Sequence, residues 1–418
     1  MWLASPNFYP TYGGAQNRYR SYIPGFIERG LEVHVVTGTP LASERSEADR
    51  DADWYAASPG IWLPRTSVEG AELERIRLPD SNDAARLRTY YSALVEVCSR
   101  PAAGPVIAQM LTYMRPEARP WLRRLRESGV ATVFSISQFP SWQKKRLKRL
   151  LRQRGYRRLY NEVDAVITNS KAIEDFLHEL GVDTRVEYIA NGVNLQRFCP
   201  PLDPVRHARR LALREQFGLQ DDARLIIAVG SVMPRKGPHL LIRAWRRLLQ
   251  DFPATQLLFV GPRADQHDAK LAQFSAEMTA DIRASGAAGQ VHFTGVVDDV
   301  ENYLAAADIL VLASEREGTP NSVLEAMATG LPCVVTPFAG LSRAIGDAGV
   351  HYLPAERSAQ GIAAALRQLL SDGDAARNLA ARGHAFVGSH ADQQHTLDRY
   401  AALYRELGHN ALSRRAGQ

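Results

Sequence analysis

Short apolar runs of strand length alternate with helix-length segments along this chain, and the alternation is carried through twice. In the first passage the strand-like runs are 2–5, 32–37, 105–114, 130–137 and 165–168. Between them, 17–29 reads as a helix despite Pro24 and is ended by Gly30; 121–128 is a basic helix closed by Gly129; and 172–180 is a helix ended by Gly181. The second passage places strands at 225–229, 256–260, 290–294, 309–313 and 333–336. Its helices are 239–249, 270–284, 300–306, 321–329 and 360–371, and two more run to about 407. Strands that alternate with helices need crossover connections, which implies α/β architecture with two parallel sheets. Pro200, Pro201 and Pro204 mark the link between the passages. The expected division is therefore 1–198, 199–385, and a tail of helices, 386–418, that packs back on the first domain. Two domains also fit a chain of 418 residues.

Composition removes several classes. With 45% apolar and 23% charged residues, a disordered or fibrous chain is excluded. The longest uncharged runs, 1–17 and 326–342, each carry two Gly and two Pro, too broken for a spanning helix. No signal peptide is read at the start. Cys98, Cys199 and Cys333 are too few and too scattered for a disulfide or zinc framework, and Cys333 reads as a small buried hydrophobe in a reduced protein.

The net charge of +6 is local. Between Glu127 and Glu162 stand nine bases and no acid: Lys144, Lys145, Arg146, Lys148, Arg149, Arg152, Arg154, Arg157 and Arg158. Leu147, Leu150 and Leu151 make a narrow apolar stripe among them, and Gly155 is expected to break the helix. Three readings stand: a solvated face, docking on anionic lipid headgroups through Lys144, Lys145, Lys148, Arg149 and Arg152, or nucleic-acid binding with Trp142, Tyr156 and Tyr160 interleaved.

In open parallel sheets, ligands bind beyond the carboxyl ends of the strands, so the strand-to-helix turns carry the chemistry. The most specific is the run from Glu317 through Gly318, Thr319, Pro320, Asn321, Ser322, Val323, Leu324 and Glu325 to Pro332. Gly318 permits a sharp turn, Thr319 or Asn321 can cap the following helix, and Gly330 can end it. Free N–H groups at such a helix start suit a phosphate. Glu325, about one turn in, can accept both hydroxyls of a ribose, or can simply complement the helix dipole. A second turn, Gly230-Ser231-Val232-Met233-Pro234-Arg235-Lys236-Gly237, offers Arg235 and Lys236 to a diphosphate, or is a solvated basic turn. A third, Tyr12-Gly13-Gly14-Ala15-Gln16, lets backbone approach an anion, or is a plain tight turn. Asp51-Ala52-Asp53 and Asp298-Asp299 read as polar loop and surface turn, and no metal site is expected.

Together these segments resemble glycosyltransferase family 4, with its GT-B architecture of two facing Rossmann-like domains. The likeness extends to Asn169-Ser170-Lys171, Ile189-Ala190-Asn191-Gly192-Val193-Asn194, Val291-His292-Phe293-Thr294-Gly295-Val296 and the run from Ala307 to Ser314. The resemblance implies transfer of a sugar from a nucleotide diphosphate sugar, UDP- or GDP-linked, with retention of anomeric configuration. It implies no bound cofactor and a glycan or lipid-linked acceptor of the cell envelope or an exopolysaccharide. By position Glu317 matches the carboxylate facing the donor sugar, Glu325 the ribose ligand, Arg235 and Lys236 the diphosphate turn, and Gly14 the closing loop of the first domain. Backbone near Val296 is expected to meet the base. The donor site so implied also takes in Gly230, Ser231, Gly318, Thr319, Pro320, Asn321, Ser322 and Val323.

Three positions depart from the family pattern. Ser231 stands where Arg is common, which passes phosphate binding to Arg235. Ser137-Gln138 stands where a histidine is common, so no catalytic histidine is assigned. Leu31 stands where a second histidine is common, with His34 three residues on. Residues 41–60 and 80–90 are expected to be loops that choose the acceptor. The location expected is cytoplasmic, peripheral on the inner face of the cell membrane. The alternatives are a nucleic-acid binder using 144–158, or a GT-B epimerase or phosphorylase.

Overall fold

The structure is a computed structural model that describes residues 1–8, 14–41, 57–81, 84–111, 114–138, 149–220, 222–263, 269–338, 341 and 343–416. It folds as two units, one comprising Met1–Ala190 with Gln394–Gln418 and the other Asn191–Gln393.

The first unit is built on strands β1 (Trp2–Ser5), β2 (His34–Gly38), β3 (Thr66–Val68), β4 (Ala71–Ile76), β5 (Ile107–Met110), β6 (Ala131–Ile136), β7 (Ala165–Thr168) and β8 (Arg185–Tyr188). Their order is β3-β4-β2-β1-β5-β6-β7-β8, and every pairing is parallel except β3 with β4. Side chains alternate across the sheet. Trp2, Val36, Ala108 and Phe134 pack on one face, and Leu3, Val35, Ile107 and Val133 on the other. The second face is covered by helix Gly14–Glu28 and by the last helix, Gln393–Ala416, through Tyr19, Tyr22, Phe26, Leu397, Tyr400 and Tyr404.

The second unit carries β9 (Arg224–Val229), β10 (Thr255–Val260), β11 (Val291–Gly295), β12 (Ile309–Leu312), β13 (Cys333–Val335) and β14 (Leu353–Pro354) in the order β11-β10-β9-β12-β13-β14, all parallel. The chain runs outward from β9 to β11, then returns to the other side of β9 with β12. The strand order therefore reverses between β9 and β12, the place where open α/β sheets bind ligands.

Several elements differ from expectation, each for a readable reason. Residues 84–90 are not loop but the start of helix Ala84–Cys98, whose apolar face lies mostly in its later turns at Tyr90, Tyr91, Leu94 and Val97. Strand β4 hides behind its charges: Glu74 is 5% exposed yet paired with Arg100 at 2.6 Å and Arg65 at 3.1 Å. Helix Pro204–Gln216 buries no side chain, so it has no apolar stripe to read; Asp203 caps it by accepting from the Arg206 N–H at 3.0 Å. Gly155 does not break helix Arg149–Tyr160. It sits against Pro116, where a Cβ would come within 3.3 Å, while Tyr156, Leu159 and Tyr160 anchor the helix in the core.

The units part at Ala190/Asn191 and Gln393/Gln394, against the expected breaks at 198/199 and 385/386. The reason is that Val193 and Phe198 pack in the second unit's core. Val193 also exchanges main-chain hydrogen bonds with Ala391 and Gln393 at 2.8 and 3.0 Å.

Candidate functional site

The reversal point of the second sheet holds a pocket of 370 Å³, counting its open mouth, lined by Gly230, Ser231, Lys236, Gly237, Ala313 and Ser314 among others. Its floor is the ends of β9 and β12. Gly230 leaves β9 at φ 133° and donates to the Val260 carbonyl at 2.8 Å. The chain then makes a short 3-10 turn, Pro234–Lys236, and Gly237 reverses it at φ 72° into helix Pro238–Leu248. No other residue fits at 237, because a Cβ would stand 2.4 Å from the Ala313 carbonyl oxygen. This close approach fixes the turn against β12.

That turn and the loop after β12 meet through charge. Lys236 Nζ donates to Glu317 Oε1 at 2.5 Å, and the Glu317 residue is only 9% exposed. The Glu315 N–H donates to the Arg235 carbonyl at 2.8 Å, which ties the two loops at the main chain. The Arg235 guanidinium reaches the Arg316 carbonyl at only 3.5 Å, a weak contact.

After Glu317, the buried Gly318, Thr319 and Pro320 lead into helix Asn321–Ala328. The expected caps are not used. Pro320 occupies the N-cap position, and neither Thr319 nor Asn321 supplies a capping hydrogen bond. The main-chain N–H groups of Asn321 and Ser322 have no acceptor among the described residues, while Val323 N–H returns to the Pro320 carbonyl at 3.1 Å. An uncapped helix start with no acid in its first turn is an anion-binding arrangement. Gly330, at φ 81°, ends the helix as expected.

Glu325 lies half-buried on this helix among apolar neighbours, and burial pushes its carboxyl up to about 7. Arg197 opposes the rise and Glu301 adds to it. Arg197 is itself held by Glu301, which accepts from its Nε at 2.8 Å. Val296 follows the end of β11 and is 57% exposed, leaving that stretch of backbone open to a ligand.

The structure thus brings together Gly230, Ser231 and Lys236 around one pocket, with Glu317 joined to it through Lys236. Gly14 belongs to the first unit, where it is exposed and opens helix Gly14–Glu28. At Ser137, Arg18 Nη2 donates to the Ser137 hydroxyl at 3.1 Å, so a buried guanidinium occupies the surroundings of the histidine-less position. Of the basic stretch, Lys144, Lys145 and Lys148 lie outside the described residues, as does the Arg149 side chain; Arg152, Arg154, Arg157 and Arg158 are exposed, and Leu151 is 76% exposed beside them. Asp51-Ala52-Asp53 also lies outside. Asn191 and Arg197 carry no role readable from the sequence, because nothing local announces that they touch Asn321 and Glu301.

A parallel sheet reversing beside a glycine turn, in the company of a second parallel-sheet unit, is the layout of GT-B proteins. The profile described as Glycosyl transferase 4-like domain matches residues 13–192, and the one described as Glycosyl transferases group 1 matches residues 223–372. Between them they take in most of the chain, which belongs to the family 4-like glycosyltransferases. The lipopolysaccharide core biosynthesis glycosyltransferase LpsE of Rhizobium meliloti is 26% identical over 244 residues, 58% of this chain and 65% of that protein. Two further relatives are matched over only 50% and 41% of their own length, so the chain spans less than two thirds of these relatives. A GDP-mannose-dependent phosphatidylinositol monomannoside mannosyltransferase of Mycolicibacterium smegmatis is 26% identical over 89% of both chains. Anabaena HepE, solved with UDP and glucose, shares the fold with a TM-score of 0.71 at 17% identity, covering 96% of this chain and 98% of that one.

Proposed function

We propose that this protein moves a hexosyl group from a UDP- or GDP-linked sugar to a glycan or lipid-linked acceptor in cell-envelope or exopolysaccharide synthesis, with retention of anomeric configuration and no bound metal. The observation that carries the reading is the Lys236–Glu317 pair at the sheet's reversal point, beside a helix start with free amides. As the glycosidic bond breaks, its electron pair goes to the diphosphate. Lys236, with Arg235 nearby, and the N–H groups of Asn321 and Ser322 stabilise that growing charge. Glu317, buried and already directed at Lys236, is the carboxylate assigned to the donor sugar, and Glu325 takes the ribose hydroxyls. Backbone near Val296 takes the base, and the first unit takes the acceptor. The relatives support this: one carries a lipopolysaccharide-core name, another a GDP-mannose-dependent mannosyltransferase name, and HepE was solved with UDP.

A thermal-shift screen over UDP, GDP and ADP sugars tests the reading. One nucleotide sugar raises the midpoint of the wild-type protein, and Glu325→Ala and Lys236→Ala lose most of that rise. Unchanged ligand shifts in both variants overturn the site. Release of nucleoside diphosphate only in the presence of acceptor excludes an epimerase or phosphorylase.

No described helix is long and apolar enough to cross a membrane. We assign the protein to the cytoplasmic face of the cell membrane, docked by the basic stretch. Helix Arg149–Tyr160 presents Arg152, Arg154 and Leu151 to solvent and anchors its other face through Tyr156 and Tyr160. Each Lys or Arg brought to an anionic surface adds about 1 kcal/mol. Sedimentation with phosphatidylglycerol vesicles is expected to carry the protein down at low salt and release it at 0.5 M NaCl (about three times physiological ionic strength). Equal binding to phosphatidylcholine vesicles contradicts the assignment, and salt-sensitive binding to duplex DNA, indifferent to nucleotide sugar, favours nucleic acid instead.

A further inference from the structure

The segment Ile189-Ala190-Asn191-Gly192-Val193-Asn194 is left unused by the reading above, yet its Asn191 reaches the site. Asn191 is the first residue of the second unit and is 4% exposed. Its Nδ2 donates to Oδ1 of Asn321 at 2.5 Å. Asn321 is the first residue of the uncapped helix, and its own main-chain N–H, like that of Ser322, has no acceptor among the described residues.

A carboxamide has one acceptor end and one donor end. Asn191 engages the acceptor end of Asn321, so what Asn321 has left to offer a ligand is its NH₂. We propose that Asn191 is a positioning residue that turns Asn321 into a pure hydrogen-bond donor, so that this side chain and the free N–H groups of Asn321 and Ser322 form one cradle for phosphoryl oxygens. If Asn321 were free to turn over, its carbonyl oxygen would face the same oxygens, and two acceptors without a proton between them repel. Burial makes the arrangement durable. A side chain that is 4% exposed cannot trade its partner for water, so the Asn191–Asn321 contact persists whether or not a ligand is present.

The inference rests on the donor reading of this helix start, and the experiment separates the two. Affinity for UDP or GDP, whichever stabilises the wild-type protein, is measured by calorimetry for wild type, Asn191→Ala, Asn321→Ala, the double variant, Asn191→Asp and Glu325→Ala, with the unfolding midpoint of each and the donor KM and kcat. Asn321→Ala is expected to weaken binding about tenfold, the size of one hydrogen bond to a charged group. Asn191→Ala weakens it severalfold, raises KM and leaves kcat within about threefold. The double variant binds no worse than Asn321→Ala, because Asn191 acts only through its partner. Asn191→Asp keeps the volume; its carboxylate accepts from the Asn321 NH₂, turns the amide over and weakens nucleotide binding, while the charge it buries at a 4% exposed position lowers the midpoint by a few degrees and leaves the protein folded at the assay temperature. Wild-type affinity in Asn191→Asp or Asn191→Ala overturns the inference, and so do losses that multiply in the double variant. If no nucleotide binds to wild type, or Glu325→Ala binds as well as wild type, the donor reading falls and this inference falls with it. If Glu325→Ala loses binding while the Asn191 variants keep it, only the inference falls.

Discussion

Replacing Lys236 with alanine is expected to lower kcat/KM for the nucleotide-sugar donor by about 10²–10³, the loss typical of removing one group that meets developing charge in a transition state. Two effects add. The ammonium belongs to the pocket lining: a Cβ at Gly230 would lie 3.6 Å from Nζ. Its removal also strands Glu317, which is 9% exposed and is the acceptor of its 2.5 Å hydrogen bond. A buried carboxylate without its partner is costly, so the variant also unfolds at lower temperature. Lys236→Arg keeps the charge but not the compact three-proton geometry, and recovers only part of the rate. Steady-state release of nucleoside diphosphate in the presence of acceptor measures the effect. A variant within fivefold of wild type would remove Lys236 from the mechanism.

Glu325→Gln is expected to stabilise the protein at pH 8 while weakening donor binding. Burial pushes the Glu325 carboxyl up to about 7, against an ordinary 4.5 in the unfolded chain. Between those values the folded state binds more protons than the unfolded one, so this carboxyl lowers stability progressively as pH rises through the window, and the full cost is present above about 7. Glutamine has no charge to bury. The gain is on the order of 2 kcal/mol at pH 8, several degrees in the unfolding midpoint, and it vanishes near pH 4. Donor binding moves the other way. Ribose hydroxyls donate best to an ionised carboxylate, so wild-type affinity rises from pH 6 to pH 8. The glutamine variant is flat with pH and about ten- to a hundredfold weaker at the upper end. Differential scanning calorimetry and nucleotide titration at pH 5, 6.5 and 8 read both halves. A variant less stable than wild type at pH 8, or a wild-type affinity flat with pH, contradicts the ribose role.

The opposite signs are instructive about where function lies. A carboxylate kept half-buried among apolar neighbours costs stability, and nothing in the fold of helix Asn321–Ala328 needs it. Arg197 and Glu301 sit near enough to influence it without neutralising it fully. The account explains that expense by the ligand.

Most of the second unit is legible in the sequence because its strands are continuous apolar runs, such as Leu225 to Val229 and Ile309 to Leu312, punctuated by glycines; Gly230, Gly237 and Gly330 take positive φ. What escaped was carried by partners distant in sequence. Strand β4 reads as polar until Arg100 is seen on Glu74, and helix Pro204–Gln216 has no fully buried side chain, only Leu213 packing partly buried on the core; its Arg214 reaches Asp308 at 2.9 Å. The helix beginning at Ala84 reads as loop because it follows the polar run Asp80-Ser81-Asn82-Asp83 and Arg86, Arg88 and Thr89 interrupt its first two turns. Within the site, the residue types were readable but their pairing was not. Lys236 and Glu317 are 81 positions apart, and Asn191 and Asn321 are 130 apart, so no local pattern joins them. The capping roles expected of Thr319 and Asn321 failed for a simple reason. Pro320 takes the N-cap position, which leaves the helix amides open.

The central claim is that a diphosphate is held at the reversal point of the second sheet. The most direct measurement is a crystal structure of the protein soaked with the nucleotide sugar that gives the largest thermal shift. The account predicts the diphosphate against Lys236 and the Asn321 and Ser322 amides, ribose hydroxyls on Glu325, and the base along the backbone at Val296. A nucleotide seated elsewhere, with Lys236 still closed on Glu317 and no density beside Glu325, would contradict it.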